Sequence, residues 1–66
     1  MSAYERGLTE GLKRAASLCD ETAETLDRAW AECEERGEAE VSELVGAGAI
    51  YVRHTAARIR AEASAR

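Results

Sequence analysis

Cys19, Cys33 and His54 are the side chains of this sequence best suited to nucleophilic, redox or metal chemistry. On one continuous helix the two cysteines would lie about 21 Å apart, whereas a disulfide needs a Cα separation below about 7 Å. Two thiols and one imidazole also fall short of the four ligands of a structural zinc site, and no CxxC or HxxxH spacing occurs. We therefore expect reduced cysteines and no bound metal or cofactor.

The elements that position these residues are predicted to be helices. The chain has no proline and no phenylalanine, and alanine, glutamate, arginine and leucine dominate, a composition typical of long helices. Ser2 followed by Glu5 is a capping-box pattern, which predicts a helix start at about Ala3. Apolar residues then recur every three or four positions as far as Cys33, and Gly37 is the usual residue just past a helix end.

A second apolar stripe begins at Val41 and ends at Ala63. The sequence therefore predicts one all-α domain over residues 1–66, with a helix at about 3–36, a turn near 37–40 and a helix at about 41–63. Folded as an antiparallel two-helix hairpin, facing residues would have numbers that sum to roughly 75.

Two alternatives to this hairpin stay open at the level of sequence. Residues 46–52 include two glycines and a short β-branched run, which could form a strand. Helix is the preferred interpretation, because a lone strand would have no partner. The chain could also break near residue 20 into a three-helix arrangement, since Ser17 or Asp20 could cap a new helix.

A catalytic role would need a nucleophile, a base and a pocket that excludes water. Cys19 could approach His54 in a hairpin, yet a rod of two helices has no concave pocket. A di-iron site is excluded as well, because it needs Glu-x-x-His pairs and Tyr51 stands three residues before His54. The sequence predicts a protein that is not an enzyme.

The charge distribution is the most informative feature of the sequence. Residues 20–43 hold ten carboxylates and two cations, a net of −8, and the remainder sums to +4. In a hairpin these segments become an acidic loop end and a basic end near both termini. The charges could simply be solvated, some of them in pairs such as Glu24 with Arg28 and Glu32 with Arg36.

The acidic end would be drawn to a protein with a basic surface. We expect it to make no direct contact with nucleic acid. Trp30 could be core filler against Val45 or a partly exposed anchor for the partner. The candidate partner-binding residues share this end of the hairpin: Asp20, Glu24, Asp27, Trp30, Glu34, Glu35, Glu38, Glu40 and Glu43.

The sequence includes Tyr4-Glu5-Arg6-Gly7-Leu8 near its start and Ala56-Ala57-Arg58-Ile59-Arg60-Ala61 near its end. With these segments, it resembles the sequences of short helical proteins of phages and prophages. Such small acidic phage products include anti-CRISPR proteins. The resemblance implies an inhibitor that blocks DNA binding by a CRISPR effector complex, whose subunit would be the basic partner.

Two further functions fit the same sequence. Helices of this size bury little apolar surface, so two hairpins could pair into a four-helix bundle, with Leu18, Leu44, Tyr51 and Ile59 meeting across a two-fold axis. The protein would then be a structural or adaptor homodimer. A DNA regulator using three arginines of the second helix is the weaker possibility, and its candidate residues are Arg53, Arg58 and Arg60.

The predicted location is the cytoplasm, which for a phage-encoded protein is that of the host cell. No stretch of 18 or more apolar residues occurs, and the first residues lack the basic start and apolar run of a signal peptide. We therefore expect no membrane association.

Overall fold

The computed structural model describes residues 2–65, which form two helices. Helix α1 spans Ala3–Glu35 and helix α2 spans Ala39–Ser64. They run antiparallel, side by side, in a rod whose Cα atoms extend over 52 × 14 × 10 Å. The predicted all-α hairpin is confirmed, and no strand occurs in the described part of the chain.

Both alternatives to the hairpin are excluded. Helix α1 continues without a break through Asp20, so the three-helix arrangement does not form. Residues 46–52 are helical within α2. A β-branched run becomes helical here because α1 offers a long helical surface for packing, whereas a single strand would leave its backbone groups without hydrogen-bond partners.

The ends of α1 follow the capping residues of the sequence. Ser2 Oγ accepts a hydrogen bond from the Glu5 backbone N–H at 3.1 Å, which satisfies one of the donors left over at a helix start. At the other end Gly37 has a φ of 73°. The Gly37 N–H donates to Glu34 O at 3.1 Å, and the Glu38 N–H donates to Cys33 O at 2.9 Å. These two bonds make a Schellman motif, which needs a residue such as glycine in the left-handed region.

Helix α2 starts at Ala39, two residues earlier than the sequence indicated. The backbone of Glu38 already accepts from the Ser42 N–H at 2.9 Å. The Ser42 hydroxyl donates to Glu34 Oε1 at 2.7 Å. This bond ties the start of α2 to the last turn of α1 and extends the helix into the expected turn.

The core between the helices consists of small residues, and we call this line of contact the seam. No large side chain in the described chain is fully buried. Residues seven apart return to the same side of a helix, and small side chains there let two helices lie close together. Most buried residues follow that spacing, on α1 with Ala16 and Ala23 and on α2 with Ser42, Ala49, Ala56 and Ala63. Cys33 of α1 is also buried but lies outside this spacing.

Two glycines show how closely the helices approach each other. A Cβ built on Gly46 would lie 3.2 Å from Trp30 Cδ1, and one built on Gly48 would lie 3.7 Å from Leu26 Cδ1. The numbers of these facing residues sum to 76 and 74, close to the predicted 75. The seam therefore fixes the register, but it buries few large apolar side chains.

Candidate functional site

One long side of the seam carries two ion pairs that join the helices. Arg53 pairs with Asp27, and Arg60 pairs with Asp20. Both arginines and both aspartates are seven residues apart, so the two pairs lie two helical turns apart along one side of the hairpin. We call this side, marked by these four residues, the paired face.

Hydrogen bonding keeps the groups of the paired face charged. Arg53 Nη1 donates to Asp27 Oδ1 at 3.2 Å, and Nη2 of the same guanidinium donates to Oδ2. The hydrogen bond from Arg53 lowers the pKa of Asp27, and the one from Arg60 lowers the pKa of Asp20. The same bonds raise the pKa of both arginines. Ion pairs this exposed add little to the stability of the fold.

The opposite long side carries no charge over most of its length, and we call it the uncharged face. Uncharged residues there are half-buried against the other helix: Leu8, Leu12, Ala15, Cys19, Leu26 and Ala29 of α1, and Val45, Gly48, Val52, Thr55 and Ile59 of α2. Exposed residues continue the same helical spacing on either side of these rows: Tyr4, Leu18, Val41, Leu44 and Tyr51.

Charge enters the uncharged face only at its ends. Within the two helices, the charged residues at its helical spacing are Glu5 and Glu32 in α1, and Arg58 and Glu62 in α2. Between them, Leu44 and Tyr51 are each 75% exposed and Leu18 is 57% exposed. Exposed apolar side chains grouped along one side of a protein are typical of a site where another macromolecule binds.

The structure divides the predicted partner-binding residues. Asp20 and Asp27 lie in the paired face, where arginines already occupy them. Glu34 accepts a hydrogen bond from the hydroxyl of Ser42. The rest of the predicted carboxylates are exposed, and among residues 2–65 none of them forms an ion pair: Glu24, Glu35, Glu38, Glu40 and Glu43.

The part of the acidic loop end nearest the turn, residues 32–43, is therefore a negative surface in which none of the described carboxylates forms an ion pair. The pairs Glu24 with Arg28 and Glu32 with Arg36, considered from the sequence, are not found among the ion pairs of the described chain. Arg28 instead donates to Thr25 Oγ1 at 3.3 Å. Solvation rather than pairing accommodates these carboxylates, which leaves their field directed outward.

Trp30 combines the two roles considered from the sequence. Its indole packs against Gly46, one residue beyond the predicted Val45. At the same time 44% of the residue is exposed. The ring therefore covers the backbone of α2 at a glycine, and its outer part stays available near the acidic loop end.

The residues considered for catalysis do not form an enclosed site. Cys19 is half-buried, His54 is exposed, and neither cysteine is in a disulfide. Within residues 2–65, no three His, Cys, Asp or Glu side chains are grouped so that they could hold a metal ion. One surface depression lies at the basic end of the uncharged face, lined by Leu12, Thr55, Arg58, Ile59 and Glu62.

The paired face is the feature that sequence reasoning missed. Arg53 and Arg60 are seven residues apart on α2, and the sequence indicated for them only a weak role in contacting DNA. Asp20 and Asp27 have the same seven-residue spacing on α1. In an antiparallel hairpin with facing numbers near 75, each aspartate faces a position five residues, or about 1.4 helical turns, before its arginine, a distance that the long arginine side chain can span. That match was the available signal for interhelical ion pairs.

No protein-family model matches this chain, and neither does any curated protein or solved structure. Within residues 2–65, neither helix contains a stretch apolar enough and long enough to cross a membrane.

Proposed function

We propose that this protein is a non-catalytic interaction module that self-associates through its uncharged face, as a structural or adaptor hairpin. The observation that supports this function is the run of half-buried and exposed apolar residues along one long side, which charge interrupts only at its ends. A hairpin with a seam of alanines gains little from its own core, so burial of a second apolar surface supplies stability that the single chain lacks.

Adjacent residues of α2 provide a matched test. Tyr51 is 75% exposed and borders the uncharged face, whereas Ile50 is 69% exposed and lies on the other side of the helix. Tyr51→Glu places a carboxylate in the proposed interface without a partner, which costs roughly 2–5 kcal/mol and weakens association at least about 30-fold. Ile50→Glu adds the same charge outside the interface and has little effect.

Sedimentation equilibrium across micromolar concentrations measures both variants against the unchanged protein. Circular dichroism checks that each variant keeps its helices. Equal association of the Tyr51 and Ile50 variants contradicts the use of the uncharged face, and a monomer of the unchanged protein at all concentrations contradicts self-association.

A second candidate function is an inhibitor whose acidic loop end docks on a basic, nucleic-acid-binding protein surface. It is favoured by the exposed carboxylates of that end and by the exposed part of Trp30. The most concrete version, which follows from the resemblance to phage proteins, is an anti-CRISPR protein. The docking would weaken steeply with added salt, because the attraction is between exposed charges.

Binding to a purified type I CRISPR effector complex tests this second function. Glu35, Glu38 and Glu43 are suitable positions for charge reversal to lysine, since they avoid the Ser42–Glu34 hydrogen bond. Glu10→Lys at the basic end is the control for a general change in net charge. Loss of binding only in the loop-end variants supports docking, and binding that survives all the reversals contradicts it.

A further inference from the structure

A second copy can cover the uncharged face in two orientations, and both use a two-fold axis. If the axis runs along the rod, the two loop ends lie at the same end of the assembly. If the axis crosses the rod, the loop ends lie at opposite ends. Both arrangements bury the same patch on each copy, as a two-fold interface requires, and both produce four antiparallel neighbouring helices.

The charges of the two ends distinguish these orientations. Residues 32–43 at the loop end carry a net of −5, whereas Arg53 and Arg60 already offset Asp27 and Asp20 on the paired face. Copies that point the same way would place two such acidic loop ends side by side, whereas inverted copies place each loop end beside the opposite end of the partner, where Arg6, Lys13 and Arg14 lie. Like charges at an association surface oppose binding and opposite charges favour it.

We infer that two copies of this chain pack through their uncharged faces in opposite directions, each acidic loop end lying over the basic end of its partner. This inference rests on the proposed self-association and adds the identity and direction of the bound partner. The uncharged middle of the face meets the same region of the second copy without opposing like charges, and the net charge of each whole end of the hairpin sets the direction.

The size and shape of the face fit a second copy of the chain. A face 52 Å long and 14 Å wide has a footprint of roughly 700 Å², close to the about 800 Å² that each partner contributes to a standard interface. Small residues recur on this face, namely Ala15, Ala29, Gly48 and Thr55. Helices presenting small side chains can approach to the short end of the usual 8–10 Å range.

Distance measurement between loop ends tests the direction. A variant with Cys19→Ala, Cys33→Ala and Glu40→Cys carries a single spin label at the exposed acidic end of each copy. Inverted copies place the two labels roughly 40–50 Å apart, from the rise per residue along the helices. Copies pointing the same way place them within roughly 30 Å. Sedimentation of the labelled variant verifies that it associates like the unchanged protein.

Salt provides an independent measurement on the unchanged chain. Raising the salt from about 0.05 M to about 0.5 M weakens association of inverted copies several-fold, because it screens an attraction. The same change strengthens association of copies whose loop ends meet. A short label distance, or association that strengthens with salt, overturns the inverted orientation but leaves self-association intact. A monomer under all conditions overturns the proposed function as well.

Discussion

The two long sides of this hairpin flank the same seam but complete their interactions differently. The paired face joins α1 to α2 through carboxylates and guanidinium groups that satisfy one another within a single chain. The uncharged face leaves apolar side chains in water, including Leu44 and Tyr51. The first side needs no partner to be complete, and the second gains free energy only when something covers it.

This difference follows from the size of the residues in the seam. Alanine and serine between the helices allow close packing, yet they cannot shield the larger residues beside them. Leu26, Val52 and Ile59 are consequently only half-buried. A core of larger residues would have buried them inside one chain, and the alanine seam instead leaves them partly in water.

The largest expected effect on stability comes from enlarging the seam itself. Ala56 is 1% exposed, so Ala56→Leu forces the helices apart and strains both long sides at once. Overpacking of this kind costs typically about 1–3 kcal/mol, which lowers the Tm of a domain this size by roughly 4–8 °C for each kcal/mol. Thermal unfolding followed by circular dichroism measures the change.

Ala57→Leu is the matched control for this prediction. Ala57 is exposed and adjacent in sequence, and leucine has nearly the same helix propensity as alanine. The control should therefore melt within a degree or two of the unchanged protein. If both variants melted at the same temperature, the seam would have space for a larger side chain. Close packing of the seam would then no longer explain why the larger residues beside it are only half-buried.

A smaller effect is expected from breaking the paired face. Asp27→Asn keeps the shape of the side chain but removes the charge that Arg53 binds. The pair is about half exposed, with side-chain exposures of 48% and 50%, so water and ions screen much of the attraction. We expect Tm to fall by only a few degrees and association through the uncharged face to stay unchanged.

Double-variant analysis separates the ion pair from other effects of the substitution. Arg53→Gln alone and the combination with Asp27→Asn complete a thermodynamic cycle. If each single change lowers Tm by as much as the two together, the loss belongs to their interaction. A large loss of association in these variants would contradict the prediction that association through the uncharged face is independent of the ion pairs of the paired face.

The sequence was sufficient to predict the two helices and their approximate register, because these depend on local signals. The Ser2 cap, the glycine at position 37 and the spacing of apolar residues each act within a few residues. The division of the acidic residues could not be predicted in the same way. Whether Asp20 binds Arg60 or faces solvent depends on where another helix lies, and the sequence places that helix only to within about one turn.

The sequence also could not predict that the apolar residues beside the seam are only half-buried. Periodicity assigns Leu26 and Ile59 to the inner side of a helix, but it does not separate the centre of the seam from its edges. The centre follows the alanines at seven-residue spacing, and the leucines and valines lie to one side. A rotation of about 50° around each helix makes this difference, which is within the width of one apolar stripe.

The last expected effect concerns pH and the two aspartates of the paired face. The pKa values of Asp20 and Asp27 are lowered in the folded state by hydrogen bonds from Arg60 and Arg53. A carboxyl whose folded pKa is lower than its unfolded pKa stabilises the fold above the unfolded value, which is about 3.9. That stabilisation is lost as the pH falls through the lowered folded value.

The protein should therefore have a higher Tm than an Asp20→Asn, Asp27→Asn double variant at pH 7, and the difference should shrink once the pH falls below about 4. Comparing the two proteins at each pH cancels the contribution of the loop-end carboxylates, which both of them retain. A difference that stays constant down to about pH 2 would show that the two aspartates stabilise the hairpin through something other than their charge.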